Sequence, residues 1–242
     1  MTSLELEQLA PHGVLRVAIN LANFLLVSGR DGDGNPIGIG PDLANLIASQ
    51  LGVRSVFVQF ESPREVTDAA SHDTWDICLL AAEPARAQSI AFTRAYLEID
   101  ATYLVWEASP LRSIEAVDHP GVRVAAASGS AYELWLTRHA KSASLLRMPT
   151  HEQAYGIFAG RGADALAGLK PALLRDEKRL AGTRLLDGHF TSVEQAIGTP
   201  LRNDVGAAFL ERAVQSAIAS GVIGQLIKRH GVPGLRAATA AR

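Results

Sequence analysis

The most constraining feature of the sequence is the alternation of short apolar strands with amphipathic helices along its first third. Apolar, β-branched runs typical of strands occur at GVLRVAIN, VRSVFVQF and WDICLLA. Between them lie two segments with helical spacing of their apolar residues, PDLANLIASQLG and PREVTDAASHD, and the first of these ends at Gly52. Strands that alternate with helices in this way predict an α/β fold with a parallel sheet.

A second α/β unit opens after the extended segment YLEIDATYLVWEASP. VRVAAASGSAYELWLTRHA predicts a strand, a Gly/Ser turn and a helix, and SLLRMP, THEQAYGIFAGRG and ADALAGL then predict a strand, a helix and a strand. A further helix is expected from Pro171. TSVEQAIGTPL is again extended, and the remaining tail predicts two amphipathic helices that separate at Gly221.

The composition excludes several classes of function. The chain has 242 residues, of which 48% are apolar, so it is long enough for one large or two modest globular domains. It carries 23 basic and 25 acidic residues, and no dense Lys/Arg run could neutralise a nucleic-acid backbone, so we expect no nucleic-acid partner. The apolar stretches are far shorter than the ~20 residues of a bilayer span, so we expect no membrane insertion.

The sequence offers little for a metal or a cofactor. The one cysteine, Cys78, can form neither an internal disulfide nor a thiolate cluster, and we expect it to be buried. The seven histidines are scattered, and His139, His151 and His189 fall at helix ends or loops, where solvated positions are expected. The loop DGDGNPIGIGPD is similar to a calcium loop in its alternate Asp and Asn residues, but Pro36 stands where that loop requires glycine. We therefore expect no metal and no cofactor.

Five short motifs occur in the order found in one known family. GVLRVAIN resembles its opening strand, IGIGPDLANLIASQLG its Gly-Phe-Asp-x-Asp-Leu helix, and WDICLLAAEPAR its strand leading to Thr-Pro-Glu-Arg. VRVAAASGSAYE resembles the Gly-Ser/Thr-Thr turn of the family's second lobe, and GADALAGLKPAL the strand and Pro-initiated helix after it. Over residues 13–231 the chain thus resembles bacterial extracellular solute-binding proteins of family 3, the ABC transporter family that contains the polar amino acid binders.

This resemblance implies an α/β, two-lobed fold of the type II periplasmic-binding-protein class, with two hinge crossings and a ligand cleft between the lobes. Lobe one would comprise residues 1–105 and 196–242, and lobe two residues 106–195. The resemblance also implies a non-catalytic protein, expected to be monomeric, that binds a small carboxylate-bearing solute by hinge closure and delivers it to an ABC permease. The N-terminus MTSLELEQLAPHG shows no signal peptide, so we expect a periplasmic protein if an export signal has been removed and a cytoplasmic one if Met1 is the native start.

Arg86 is the first candidate for ligand binding, because it follows the strand WDICLLA in the turn AAEPAR. Its guanidinium either pairs with Glu83 or another surface carboxylate, or makes two parallel charge-assisted hydrogen bonds to an anionic ligand, which lysine could not reproduce. The resemblance favours the ligand, because the family's arginine at this position grips an α-carboxylate. Ala81 lies in the same turn, where the family usually offers hydroxyl or glycine donors. Glu83 could receive a cationic group of the ligand, although so close to Arg86 it is expected to neutralise the guanidinium.

A second anchor is expected where lobe two begins its first helix, at Ser128, Gly129, Ser130 and Ala131. Unpaired backbone N–H groups and the helix dipole favour an anion at such a turn. The same residues fit a plain helix cap, in which Ser130 caps the helix and Glu133 completes a capping box, and both roles are compatible. Tyr132, the next residue, either contacts the ligand or packs on the helix face.

Departures from the family pattern bear on the identity of the ligand. The family's aspartate that pairs with an α-ammonium is expected five residues after Asp164, and Leu169 stands there instead. After the first strand, Asn20, Asn23 and Phe24 replace the usual Pro-Pro-Phe and place two amides and one aromatic ring at the cleft wall. We therefore expect a ligand that keeps an anionic group but need not be an α-amino acid.

Two alternatives remain open. The same fold resembles the cyclohexadienyl dehydratases, which eliminate water and carboxylate from prephenate or arogenate and need a general acid over the leaving hydroxyl. Glu133 and Glu152 are the candidate acids, although no motif singles out either. The other alternative is a cytoplasmic ligand-sensing module, in keeping with the N-terminal sequence.

Overall fold

The computed structural model describes residues 2–239. Within that range the helices are α1 (Ser3–Leu9), α2 (Ile39–Gln50), α3 (Pro63–Asp68), α4 (Ala131–His139), α5 (His151–Ala159), α6 (Lys170–Arg179), α7 (Asp204–Ala219) and α8 (Val222–His230). The strands are β1 (Val14–Asn20), β2 (Gly29–Arg30), β3 (Pro36–Ile37), β4 (Arg54–Phe60), β5 (Ile77–Ala81), β6 (Ile90–Phe92), β7 (Leu97–Trp106), β8 (Arg123–Ala127), β9 (Ser144–Met148), β10 (Ala165–Leu169), β11 (Thr183–Leu185), β12 (Thr191–Pro200) and β13 (Leu235–Ala237). The predicted strands and helices are all present, whereas α1, β6, β11 and β13 were not predicted.

Contacts within the chain define two compact units. Unit 1 contains residues 2–98 and 194–239, and unit 2 contains residues 99–193. The chain therefore leaves unit 1 once, in β7, and returns to it once, in β12.

Unit 1 is built on a sheet with the strand order β4, β1, β5, β12. β1 pairs in parallel with β4 and β5, as the alternating pattern predicted, while β12 runs antiparallel to β5. One side of this sheet packs on a fully buried cluster around Trp75 and Val66. Helix α2 begins at Ile39, two residues earlier than expected, so Pro41 occupies the third helical position, where an N–H would have no partner inside the helix.

Unit 2 has a similar arrangement of strands, in which β10 lies between β7 and β8, and β9 follows β8. β8 pairs in parallel with β9 and β10, and β7 runs antiparallel to β10. Helix α5 buries Ala154 and Phe158 against this sheet in a cluster that includes Leu166 of β10 and Leu173 of α6. The carboxyl ends of β8, β9 and β10 therefore point the same way, and α4, α5 and α6 begin one to four residues beyond them.

The same ion pair aligns the amino ends of the strands in both units. In unit 1 the amide of Arg16 donates to the carboxylate of Asp76, just before β5, over 2.8 Å, and the side chains pair at 2.7 Å. In unit 2 the amide of Arg123 donates to Asp164, just before β10, over 2.8 Å, with a side-chain pair at 3.0 Å. These two carboxylates are engaged in ion pairs that stabilise each unit. The opposite, carboxyl ends of the strands therefore remain available to bind a ligand.

The N-terminal helix α1 belongs to unit 1 and packs on α7. Thr2 and Glu5 form a reciprocal capping box at its start, and Glu5 pairs with Arg212 of α7. The backbone of α7 approaches closely at Gly206, where an added Cβ would lie 2.7 Å from Leu9. The sequence signal was weak because seven residues are too few to show helical periodicity.

Candidate functional site

Arg86 lies directly beyond the carboxyl end of β5 and begins a one-turn 3₁₀ helix, Arg86–Gln88. Its amide donates to the carbonyl of Glu83 over 2.9 Å, and its Nη1 donates to the carbonyl of Ala81, the last residue of β5, over 2.7 Å. Arg86 is 3% exposed and Glu83 is 9% exposed. The turn brings these three residues together, and it holds the guanidinium inside the protein instead of on the surface.

Arg86 remains positively charged although it is buried. Loss of hydration lowers the pKa of Arg86 to about 10, and the negative charge of Glu83 opposes that shift. The guanidinium is therefore protonated at neutral pH. A buried cation requires an anion nearby, and Glu83 supplies one within the turn.

The turn after β1 places Asn20, Asn23 and Phe24 beside this strand end, because β1 and β5 are parallel neighbours. Oδ1 of Asn20 accepts from the amide of Ala22 over 3.1 Å. Oδ1 of Asn23 is buried and has no hydrogen-bond partner among residues 2–239. Leaving such an oxygen unpaired costs about 1–3 kcal/mol, so Asn23 presents an acceptor that lacks a donor. Phe24 is 36% exposed.

In unit 2 the predicted Gly/Ser turn caps α4. Ser130 is the N-cap, and its hydroxyl accepts from the amide of Glu133 over 3.3 Å and donates to the carbonyl of Ala127 over 2.7 Å. The expected capping box is shifted by one residue, because Oε2 of Glu133 accepts from the amide of Gly129 over 2.9 Å and not from that of Ser130. The cap therefore brings an internal carboxylate to the turn where a ligand anion was expected.

Most of the turn's amides are consequently occupied. The amide of Ser128 donates to Met148 over 2.8 Å, and that of Ser130 to Ala127 over 3.2 Å. Within residues 2–239, the amides of Ala131 and Tyr132 donate no hydrogen bond. Burial raises the pKa of the Tyr132 phenol to about 12, and the ring is 6% exposed. The part of the turn that can receive an anion is thus smaller than predicted, and it is centred on the first two amides of α4.

Both candidate acids of the dehydratase alternative are engaged as anions. Glu133 is 3% exposed, and its Oε1 accepts from Thr137 and from Nε of Arg147, each over 2.7 Å. Burial raises its pKa, but the donors on Thr137, Gly129 and Arg147 outweigh burial and lower it overall. Glu152 is exposed and pairs with Arg179 at 2.6 Å, and that hydrogen bond lowers its pKa.

The end of β10 carries a pair of residues that sequence reasoning missed. Leu169, the last residue of β10, is the N-cap of α6 and offers no side-chain hydrogen bond there. Nearby, Nε2 of His151 lies 2.7 Å from Oδ2 of Asp176, which is fully buried. The expectation that His151 is a solvated surface residue is therefore wrong, because its ring turns inward to this carboxylate. No sequence motif marks the pair, since 25 residues separate its members.

The predicted ligand-binding residues fall into two sets, one in each unit. Unit 1 holds Asn20, Asn23, Phe24, Ala81, Glu83 and Arg86, and unit 2 holds Ser128, Gly129, Ser130, Ala131, Tyr132 and Leu169. Each set lies at the carboxyl ends of parallel strands, which is where open α/β sheets place their ligands. The other loop weighed above has a structural role, because the Asp31 carboxylate accepts from the amides of Asp33 and Asn35 in the turn between β2 and β3.

Solved structures with the same architecture define the class of protein. A crystal structure of an ancestral amino acid-binding protein, a precursor of cyclohexadienyl dehydratase, has a TM-score of 0.76 at 20% identity and covers 93% of this chain and 98% of that one. A substrate-binding protein of an amino acid ABC transporter from Streptococcus pneumoniae, bound to L-arginine, has a TM-score of 0.76 at 18% identity over 93% and 97% of the two chains. A histidine kinase sensor domain with similarity to periplasmic binding proteins has a TM-score of 0.77 at 17% identity over 94% and 99%. The fold is that of the type II periplasmic binding proteins.

The family follows from the sequence match. Residues 15–233 match the model of the bacterial extracellular solute-binding proteins, family 3, and the chain belongs to that family, which supports a solute-binding role. A curated relative, the cyclohexadienyl dehydratase of Pseudomonas aeruginosa, is 28% identical over 165 residues, which are 66% of this chain and 61% of that protein. The chain thus matches about three fifths of the length of this relative. None of the helices within residues 2–239 has the length and apolar character needed to cross a membrane.

Proposed function

We propose that this protein is a non-catalytic solute-binding protein that takes a small carboxylate-bearing solute, an amino acid or a similar organic acid, for an ABC permease. The observation that carries the proposal is the buried, protonated guanidinium of Arg86 at the carboxyl end of β5. An arginine fork can form two parallel charge-assisted bonds to a carboxylate, each worth roughly 1.5–3 kcal/mol. The family supports this function, and the S. pneumoniae neighbour is bound to L-arginine.

Asn23 supports a ligand that carries a donor as well as a carboxylate. Its buried Oδ1 lacks a partner among the described residues, on the strand end next to that of Arg86. An ammonium, hydroxyl or amide N–H of the ligand would satisfy that oxygen and remove the cost of leaving it unpaired. Arg86 would therefore bind the carboxylate of the ligand, and Asn23 would accept a hydrogen bond from a donor group on the same side of the ligand.

Isothermal titration calorimetry of amino acids and organic acids tests the proposal on wild type, Arg86→Ala and Arg86→Lys. Loss of two charge-assisted bonds predicts at least about a hundredfold weaker binding by Arg86→Ala. Arg86→Lys keeps the charge beside Glu83 but loses the planar fork, so we expect about tenfold weaker binding or more. Arg64→Ala is the matched control, because Arg64 is exposed and pairs only loosely with Asp68 at 3.7 Å.

The fold of each variant is checked by circular dichroism, because removing Arg86 leaves Glu83 buried without its cation. If Arg86→Ala fails to fold, Arg86→Lys decides the question alone. Binding by either folded Arg86 variant within threefold of wild type would contradict the proposal, as would the absence of binding by wild type to every acid in the panel.

A second candidate is cyclohexadienyl dehydratase activity, which the 28% identical relative raises. Elimination of the prephenate hydroxyl needs a protonated acid, whereas Glu133 and Glu152 are both held as anions with lowered pKa values. We therefore rank this candidate below solute binding. Incubation with prephenate, followed by the absorbance of phenylpyruvate, tests it directly, and enzyme-dependent turnover abolished by Glu133→Gln would reverse the ranking.

A further inference from the structure

The His151–Asp176 pair stands at the carboxyl end of β10, in the part of unit 2 where a ligand is expected. His151 is the first residue of α5, and its ring lies against Gly168, the penultimate residue of β10, so closely that an added Cβ would meet Cε1 at 3.1 Å. Asp176 reaches the ring from α6, with 2.7 Å between Oδ2 and Nε2. The ring is thus held in place by Asp176 of α6 and by the end of β10, and it cannot rotate freely.

The pair fixes which ring nitrogen is the acceptor. Asp176 is fully buried, and its other oxygen accepts from Nη1 of Arg179 over 3.3 Å, a charge-assisted contact that favours the carboxylate form. A carboxylate only accepts hydrogen bonds, so we assign the shared hydrogen to Nε2 of His151. In the neutral ring this leaves a lone pair on Nδ1.

Nδ1 of His151 has no hydrogen-bond partner among residues 2–239, and 23% of the side chain is exposed. The charged groups around the pair are already matched, because Arg179 pairs with both Asp176 and Glu152. The phenol of Tyr132, from α4, lies close enough to sense the charge of Asp176. The open polar atom of this cluster is therefore Nδ1, on a ring that lies against Gly168, the residue before Leu169.

We propose that His151 is a ligand-contacting residue whose Nδ1 accepts a hydrogen bond from an ammonium or hydroxyl group of the solute, and that Asp176 is the positioning residue that orients the ring and sets its tautomer. This inference rests on the proposed function and narrows it to solutes that carry a donor next to the carboxylate. It also explains how the site recognises such a donor without a carboxylate at position 169.

The test compares three ligands with the same carbon skeleton: an α-amino acid, the 2-hydroxy acid and the carboxylic acid without either group. Wild type is expected to bind the first two at least about tenfold more tightly than the third. His151→Gln can still reach Asp176 with its amide but lacks the Nδ1 acceptor, so this preference should fall at least about threefold, and any remainder is the part that Asn23 supplies. His151→Asn places an amide oxygen close to the position of Nδ1 and should retain most of the preference.

Asp176→Asn tests the positioning role. Its amide can donate to Nε2, which would move the hydrogen to Nδ1 and turn that atom from an acceptor into a donor. We expect ¹⁵N NMR to report Nε2–H in wild type and Nδ1–H in Asp176→Asn, together with loss of the preference for donor-bearing ligands. A merely structural pair would lower stability without changing the order of the three ligands.

The controls separate failure of this inference from failure of the proposed function. His139→Gln removes an exposed histidine of the same unit and should leave all three affinities unchanged. Arg86→Lys should weaken all three ligands alike, because all carry the carboxylate. If wild type and Arg86→Lys behave as expected but His151→Gln keeps the full preference, His151 is not the acceptor and the proposed function stands. If wild type binds none of the three, the proposed function and this inference both fail.

Discussion

Replacing Glu133 by glutamine should destabilise unit 2, because this carboxylate accepts hydrogen bonds that stabilise the start of α4. Oε1 accepts from the Thr137 hydroxyl and from Nε of Arg147, and Oε2 accepts from the amide of Gly129. A glutamine can keep its oxygen at the first position, but its NH₂ group then faces the Gly129 amide. One charge-assisted bond to the Gly129 amide is lost, and a second donor group faces that amide in place of the carboxylate oxygen.

The magnitude follows from those contacts. A hydrogen bond to a charged group contributes about 1.5–3 kcal/mol, so we expect a loss of that size in the free energy of unfolding at pH 7. For a chain of this length that corresponds to a fall in Tm of roughly 3–12 °C. Glu152→Gln is the matched control, because its carboxylate is 64% exposed and its pair with Arg179 should contribute no more than about 1 kcal/mol.

The difference between wild type and Glu133→Gln should also depend on pH. The pKa of Glu133 is lowered in the folded protein, so its contribution is fully present above the unfolded-state value of about 4.3 and is lost as the pH falls through the folded-state value. Urea unfolding at pH 7 and at successive values below 4.5, followed by circular dichroism, measures this. A Glu133→Gln protein within 0.5 kcal/mol of wild type at pH 7, or a difference that does not shrink in acid, would refute the reasoning.

Two further predictions concern the core of unit 1. Gly198→Ala in β12 should cost about 1–3 kcal/mol in urea unfolding, because the new Cβ would lie 2.4 Å from Cγ2 of Ile90, and an unchanged midpoint would contradict this. The Cys78 thiol should not react with a thiol reagent at pH 8 until urea unfolds the protein, because it is fully buried and burial raises its pKa to about 12; rapid labelling of the native protein would show that the strand opens.

The order of elements could be read from the sequence because it depends on local patterns. Alternating apolar runs and helical periodicities act over a few residues, and the parallel pairing of β1 with β4 and β5 follows from the helices between them. The N-cap at Ser130 was likewise predictable, since its hydrogen bond reaches only three residues along the chain. Helix α1 was missed because seven residues are too few to show helical periodicity, and because it is also supported by packing on α7, nearly 200 residues away in sequence.

In the candidate site, too, the features that depend on local contacts were predictable from the sequence, and those that depend on tertiary packing were not. The turn from Ala81 to Arg86 was predicted as a unit because its hydrogen bonds are local, but the sequence alone left open whether the guanidinium is exposed or buried. Burial is decided by which surfaces meet, and in the folded chain Arg86 is 3% exposed.

The sequence by itself determined the family, the succession of strands and helices, and the position of Arg86 at a strand end, because each depends on residues close together in the chain. Only the tertiary structure decided that Glu133 accepts hydrogen bonds from both the Gly129 amide and Arg147. The same is true of the hydrogen bond between Asp176 of α6 and His151 of α5. These contacts join different elements, and their geometry depends on how helices pack on a sheet, which local sequence patterns do not specify.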